Sequence, residues 1–225
     1  MKFTYYGHAC FMVETAGKKL LFDPFINGNP LVTHFDINSI EADYILASHG
    51  HGDHVGDLMA IAKNTGAKVI GTAEVIGWVM KNGHDNVHPM NYGRTRMNFG
   101  EVRMVPAAHS SGMPDGSYGG NPGGFVITTA DGSFYHAGDT CLSMEMKLIP
   151  HYANLGVAIL PIGGNYTMDP EDCILASDFI KCDKVVGVHF NTWPPISIDN
   201  ELAKRKFEAV GKTLILPVIG ETITL

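Results

Sequence analysis

Ser48-His49-Gly50-His51-Gly52-Asp53-His54 is the stretch on which the reading of this 225-residue chain turns, because it packs three imidazoles and a carboxylate into six consecutive positions. Imidazole and carboxylate are the ligands that borderline divalent ions accept, and Gly50 and Gly52 let the backbone bring neighbouring side chains together. The stretch follows residues 43–48, a nearly continuous apolar run of the kind seen in a strand covered on both faces. It precedes residues 55–64, whose apolar spacing is helical and which stop at Gly66. A metal-binding loop between a buried strand and a helix accounts for the cluster; a purely structural role has little use for so many ligands so close together.

Outward from this loop, three more residues offer ligand atoms at the carboxyl ends of apolar runs. His109 follows residues 102–107, Asp139 follows 133–136 by way of Gly138, and His189 follows 184–188. In α/β sheets such ends gather on one edge, so residues distant in sequence can meet there. Each alone has an ordinary explanation: a loop cap, a turn, a buried hydrogen bond. Together with the loop they make seven protein ligands, too many for one tetrahedral ion and suited to two.

The remaining pattern supplies the scaffold. Residues 2–6, 10–14 and 19–23 read as an antiparallel meander, 67–71 as a strand, and 72–81 as a helix capped by Thr72 and stopped at Gly83. Strands are expected at 101–107 and 124–129, and Asp131-Gly132 turns the chain into 133–136. Buried strands at 155–160 and 184–188 flank a helix that opens with Asp169 as cap and Pro170 in its first turn. A helix over 199–210 and a strand over 213–218 complete an α/β chain with antiparallel pairs mixed in. Residues 110–124, rich in Gly, Ser and Pro, read as a binding loop that carries Met113 and Tyr118 over the site. With no linker and no repeat, residues 1–225 are expected to form a single domain.

Composition bounds the partners. Hydrophobic residues make up 45% and charged residues 17%, which suits a chain burying a sizeable core. The formal net charge of -7 works against attraction to phosphate backbones, so nucleic acid is a disfavoured partner. Residues 1–8 lack the apolar core of a secretory signal and no run is long enough to span a bilayer, so a cytoplasmic protein acting on a small molecule, without a membrane partner, is expected. Self-association into a homo-oligomer is compatible with all of this. Cys10, Cys141, Cys173 and Cys182 form no close-spaced pair and read as free thiols.

The motif His49-x-His51-x-Asp53-His54, with His109, Gly138-Asp139-Thr140 and His189 after it, resembles the metallo-β-lactamase superfamily, over essentially the whole chain. The resemblance implies a four-layer αββα sandwich of mixed sheets with metals at one edge. It implies that His49, His51 and His109 hold a first ion, that Asp53, His54 and His189 hold a second, and that Asp139 bridges both. Zinc or manganese is the first expectation for the two ions, and nickel or iron suits the same ligands. Gly7-His8-Ala9, Leu21-Phe22-Asp23-Pro24-Phe25 and Pro161-Ile162-Gly163-Gly164-Asn165-Tyr166-Thr167-Met168 further resemble the compact metal-dependent hydrolases related to L-ascorbate-6-phosphate lactonase. An aspartate at the bridging position, where true zinc β-lactamases carry cysteine, argues against antibiotic hydrolysis. The extra helical domain of glyoxalase II and the basic arm of the tRNA-processing nuclease are missing.

These features together lead to the expectation of a hydrolase, with a metal-bridging hydroxide attacking a small ester, lactone or phosphodiester, the lactone favoured by analogy alone. Asp53 is the expected catalytic side chain, orienting the nucleophile and passing its proton to the leaving group. A diiron-type redox or sensing protein on the same scaffold, or a nuclease, are the alternatives. His8, Asn165 and Asn191 are candidate substrate contacts or supports for the ligands. His136 reads as packing, Arg94 and Arg96 as a solvated hairpin rather than an anion clamp, and Trp193-Pro194-Pro195 as a rim or an interface.

Overall fold

Leu20 and Phe22 enter one hydrophobic core while Leu21, between them, enters another. Alternation of this kind, apolar on both faces, requires a strand covered on both sides, and it recurs in both sheets of the computed structural model, which describes residues 1–225. Strands β1 (Lys2–Gly7), β2 (Cys10–Thr15), β3 (Lys18–Phe22), β4 (Tyr44–Leu46), β5 (Lys68–Thr72) and β6 (Val87–Met90) lie in one sheet. A second sheet holds β7 (Gly93–Met97), β8 (Gly100–Pro106), β9 (Gly123–Thr129), β10 (Gly132–His136), β11 (Val157–Pro161), β12 (Lys184–Val188) and β13 (Thr213–Ile215). The last strand, β14 (Thr222–Thr224), returns to the first sheet beside β1. The orders are β14-β1-β2-β3-β4-β5-β6 and β13-β12-β11-β10-β9-β8-β7, each sheet mixed.

Helices α1 (Gly52–Val55), α2 (Leu58–Thr65) and α3 (Ala73–Lys81) cover the outer face of the first sheet through Leu58, Ile61, Val75 and Val79. Helices α4 (Pro170–Ile180) and α5 (Asn200–Ala209) cover the second through Cys173, Ala176, Ala203 and Phe207. Between the sheets Phe3, Phe11, Phe22, Phe125 and Phe134 form an aromatic spine, with Phe11 and Phe22 stacked at 4.7 Å. The result is the four-layer αββα sandwich of the metallo-β-lactamase fold. No helix is long and apolar enough to cross a membrane.

Pairing sets the direction of every strand. β1, β3, β4, β5 and β6 run one way in the first sheet, and β8, β10, β11, β12 and β13 share a direction in the second. Their carboxyl ends therefore emerge together along one edge.

Two local expectations are corrected, and three short strands are added. The helix read over 55–64 is two helices, because Asp57 turns from helical pairing to accept the backbone N–H groups of Ile26 and Asn27 at 2.6 and 2.9 Å. The strand read over 213–218 stops at Ile215, ahead of Pro217. The short strands β6, β7 and β14 carry too little apolar alternation to have been read from the sequence.

Candidate metal centre

Six strand ends supply the site. His8 follows β1, Asp23 follows β3, His49 and His51 follow β4 and lead into α1 with Asp53 and His54, His109 follows β8, Asp139 follows β10, and His189 follows β12. His8, Asp23 and His189 all take left-handed backbone angles, with φ of 55°, 43° and 54°. For residues with a Cβ this costs ~1–3 kcal/mol each, and the return is an abrupt turn of the side chain toward the sheet edge.

Asp139 is the centre of the arrangement. Its Oδ2 lies 3.0 Å from His189 Nε2, 3.2 Å from His54 Nε2, 3.6 Å from His109 Nε2 and 4.0 Å from His49 Nε2. His49 Nε2 is in turn 3.0 Å from His51 Nδ1, and Ser110 Oγ lies 3.3 Å from the other nitrogen of His51. Three sets of ligand atoms converge closely enough to hold an ion: His49, His51 and His109; His49, His54 and Asp139; and His8, Asp53, His54 and His189. All seven residues expected as ligands are thus brought together, with His8 added beside them.

The donor set fits divalent cations. Asp139 Oδ1 and His54 Nε2 are buried with no hydrogen-bond partner, although His54 lies within reach of two carboxylates. Buried lone pairs left unpaired are costly, and a cation between them removes the cost. Among the side chains themselves the fields are strong. Burial pushes the Asp139 carboxyl up, but His54 and His189 outweigh it and hold the group well below the usual carboxylate range. Burial lowers His54, yet Asp139 and Asp23 drive it well above an ordinary histidine. Burial, reinforced by His54, pushes His49 well down, which favours the neutral imidazole a metal requires.

Asp53 is held from behind. His8 Nε2 lies 3.1 Å from Asp53 Oδ2, and His8 Nδ1 lies 2.8 Å from Thr192 Oγ1. The backbone N–H of His189 donates to the His8 carbonyl at 2.8 Å, so the β1–β2 turn of one sheet is clipped to the loop after β12 of the other. Burial lowers the His8 imidazole to about 4. Neutral His8 can then accept the Thr192 hydroxyl proton at Nδ1 and donate from Nε2 to Asp53.

Sequence reasoning missed Asp23 as a site residue. Fully buried, it accepts from Ser48 N at 2.7 Å and Ser48 Oγ at 2.8 Å, and its Oδ2 lies 3.0 Å from His136 Nε2 and 3.1 Å from His54 Nδ1. The signal was present: Asp23 follows an apolar strand on the same edge as His109, Asp139 and His189. His136, read as packing, does pack edge-on to Phe11 and Phe22, but it also faces inward, two residues from Phe134 on the same side of β10, and anchors Asp23.

The outlying candidates separate. Asn191 does not face the ligands with a free amide: Nδ2 donates to Asn200 at 3.0 Å and Oδ1 accepts from Ile198 N at 2.8 Å, which spends the group on bracing its own loop. Asn165 is exposed in the loop after β11. Arg94 lies on β7 and pairs with Glu101 at 3.5 Å, as a solvated hairpin should. Trp193 packs at 4.9 Å from the His8 ring and 6.1 Å from Phe25. The loop between β8 and β9 is not structureless: Gly112 and Tyr118 bridge, Met113 is buried against Gly50, and Gly50 N donates to Ser111 Oγ at 3.0 Å.

Comparison with known proteins agrees with this architecture. The family model described as "Beta-lactamase superfamily domain" matches residues 2–189. A "UPF0173 metal-dependent hydrolase" of Flavobacterium johnsoniae is 53% identical over 100% of both chains, and one from Christiangramia forsetii is 50% identical, again over 100% of both. Among solved structures, Igni18, described as a novel metallo hydrolase from Ignicoccus hospitalis, superposes with a TM-score of 0.89 at 35% identity, covering 99% of this chain and 97% of that one. The chain belongs to the UPF0173 metal-dependent hydrolase family, within the metallo-β-lactamase superfamily.

Proposed function

We propose that this protein is a dinuclear metal-dependent hydrolase acting on a small ester, lactone or phosphodiester. The observation that carries the reading is the position of Asp139 Oδ2, within 4.0 Å of imidazoles from both halves of the site. A carboxylate so placed suits a bridge between one ion held by His49, His51 and His109 and another held by Asp53, His54 and His189. Such ions, when bound, supply Lewis acidity for a substrate oxygen and bring the ionisation of water toward neutral pH.

The chain's own groups supply the rest. Asp53, with one oxygen engaged by His8, is oriented to accept a proton from the attacking water and return it to the leaving group. Asp23 and Ser48 hold His54 and His49 from the core side, so these imidazoles are already turned toward the edge where ions would be held. Trp193, Phe25 and Met113 keep the surroundings apolar, which strengthens every charge interaction inside. No serine or cysteine nucleophile is needed.

The test is metal analysis of protein purified without added ions, coupled to a screen of esters, lactones and phosphodiesters. Two equivalents of a divalent ion, with turnover lost on chelation and restored on reloading, is the expected result. Full turnover by metal-free protein would remove the reading.

A further inference from the structure

The 16 lysines and arginines are distributed with a pronounced bias. None falls in the connections that build the metal edge: residues 8–9, 23–36, 47–57, 91–92, 107–122, 137–143, 162–169, 189–199 and 216–221 contain no cationic side chain other than histidine. Lys2, Lys18, Lys68 and Lys184 open strands at the opposite edge. Several cations on the flanking elements are paired. Lys81 faces Asp115 at 3.8 Å, Arg94 pairs with Glu101, Lys206 pairs with Glu171, and Lys147 lies over the Phe179 ring at 4.5 Å.

The other usual source of positive potential, helix amino termini, is buried or acidic here: α2 starts without a side-chain cap, but behind Asp57 and Leu58, which are 6% and 0% exposed. Three helices of eight residues or more start at this edge after a capping side chain: Thr72 accepts from Val75 N, Asp169 from Asp172 N and Asp199 from Leu202 N. Each first turn then carries acid, namely Glu74, Glu171 with Asp172, and Glu201. Any anion arriving there meets negative charge where an open helix end would have offered N–H groups.

A substrate phosphate or carboxylate remote from the reacting bond therefore meets no lysine or arginine in these connections, and acid at the helix starts. Recognition sites for such groups rely on arginine forks, lysines or free backbone N–H groups. The packing immediately behind the ligands is apolar and holds no cation either: Met113 is buried against Gly50, and Trp193 and Phe25 pack around His8. We propose that the site takes an uncharged substrate, engaged through its one reacting polar group, and turns away compounds that carry a second, anionic group. This inference rests on the hydrolase reading for its chemistry, and on the placement of charge for its choice of substrate.

Two matched pairs test it on the metal-loaded protein. The first pair is p-nitrophenyl pentanoate against the p-nitrophenyl monoester of glutarate, which differ by a terminal carboxylate, compared by kcat/KM. The second is octanohydroxamate against the monohydroxamate of suberic acid, compared by calorimetric affinity, with no turnover involved. We expect the uncharged member to be preferred by about tenfold or more in each pair, the equivalent of one unmatched charge-assisted hydrogen bond. Tyr118→Lys, placing a cation on the exposed loop over the site, should narrow the gap by improving the anionic member. Turnover of both esters without discrimination, or equal hydroxamate affinities, overturns the substrate class and leaves the hydrolase reading standing. Hydroxamate preference for the uncharged member with no turnover of either ester supports the substrate class while the hydrolase reading fails.

Discussion

Asp23 Oδ2 lies 3.1 Å from His54 Nδ1, and the opposite nitrogen of the same imidazole lies 3.2 Å from Asp139. One ring thus spans a wholly buried carboxylate in the core and the carboxylate at the centre of the site. Because Asp23 also takes both the N–H and the hydroxyl of Ser48, it fixes the start of the histidine loop and the rotation of His54 together.

Replacing Asp23 should therefore weaken metal binding from a distance. Asp23→Asn keeps the volume but removes the charge that holds His54, and the expected loss in metal affinity is about 10–100-fold. Competition against a chromogenic chelator measures it; an unchanged affinity would show that His54 is set by packing alone.

The ligands themselves should fail as a unit. His51→Ala and Asp139→Asn are each expected to lose bound metal and turnover in parallel, with secondary structure retained by circular dichroism. A variant that keeps full activity with less than half the metal would contradict the role given to Asp139.

Gly124 lies where β9 passes under the site, and a Cβ there would stand 2.6 Å from the His136 carbonyl and 2.7 Å from that of Ala137. Backbone atoms have nowhere to yield, so Gly124→Ala should cost about 1–3 kcal/mol in urea unfolding. It should also disturb Asp139, two residues beyond Ala137, and lower metal occupancy in the folded fraction.

Asp169 caps α4 through a 2.9 Å bond from Asp172 N, with Pro170 next in line. Asp169→Ala should lower stability by about 1 kcal/mol while leaving metal content intact, because α4 packs on the outer face of the second sheet. Calorimetry and metal analysis on the same sample separate the two effects.

Lys212 sits between Asp178 and Asp183 at 2.7 Å from each. Burial lowers its pKa, but the two carboxylates outweigh that and leave it above the ordinary lysine value. A raised folded pKa stabilises fully below the unfolded value and ceases to do so as pH climbs through the folded one. The stability gap between the native chain and Lys212→Met should accordingly be constant near neutrality and close above the ordinary lysine range, as thermal unfolding across alkaline pH would show.

Much of the scaffold was legible because burial on two faces leaves a plain signature. Residues 184–188 coincide with β12, and Thr72 and Asp169 cap the helices they were expected to cap. Strands β6, β7 and β14 lie at or near sheet edges, half exposed, where little apolar patterning is demanded. The break between α1 and α2 depends on Asp57 reaching Ile26, a contact between segments 31 residues apart that no local spacing records.

The sequence alone determined which residues carry ligand chemistry, since imidazoles and carboxylates at strand ends announce themselves one by one. Only the tertiary structure decided what stands behind them: Asp23 beneath His54, Thr192 and His8 behind Asp53, and a metal edge empty of lysine and arginine. The reason is physical. A ligand is a property of a side chain, whereas orientation and field arise from groups on two different sheets, and these meet only when packing closes the sandwich.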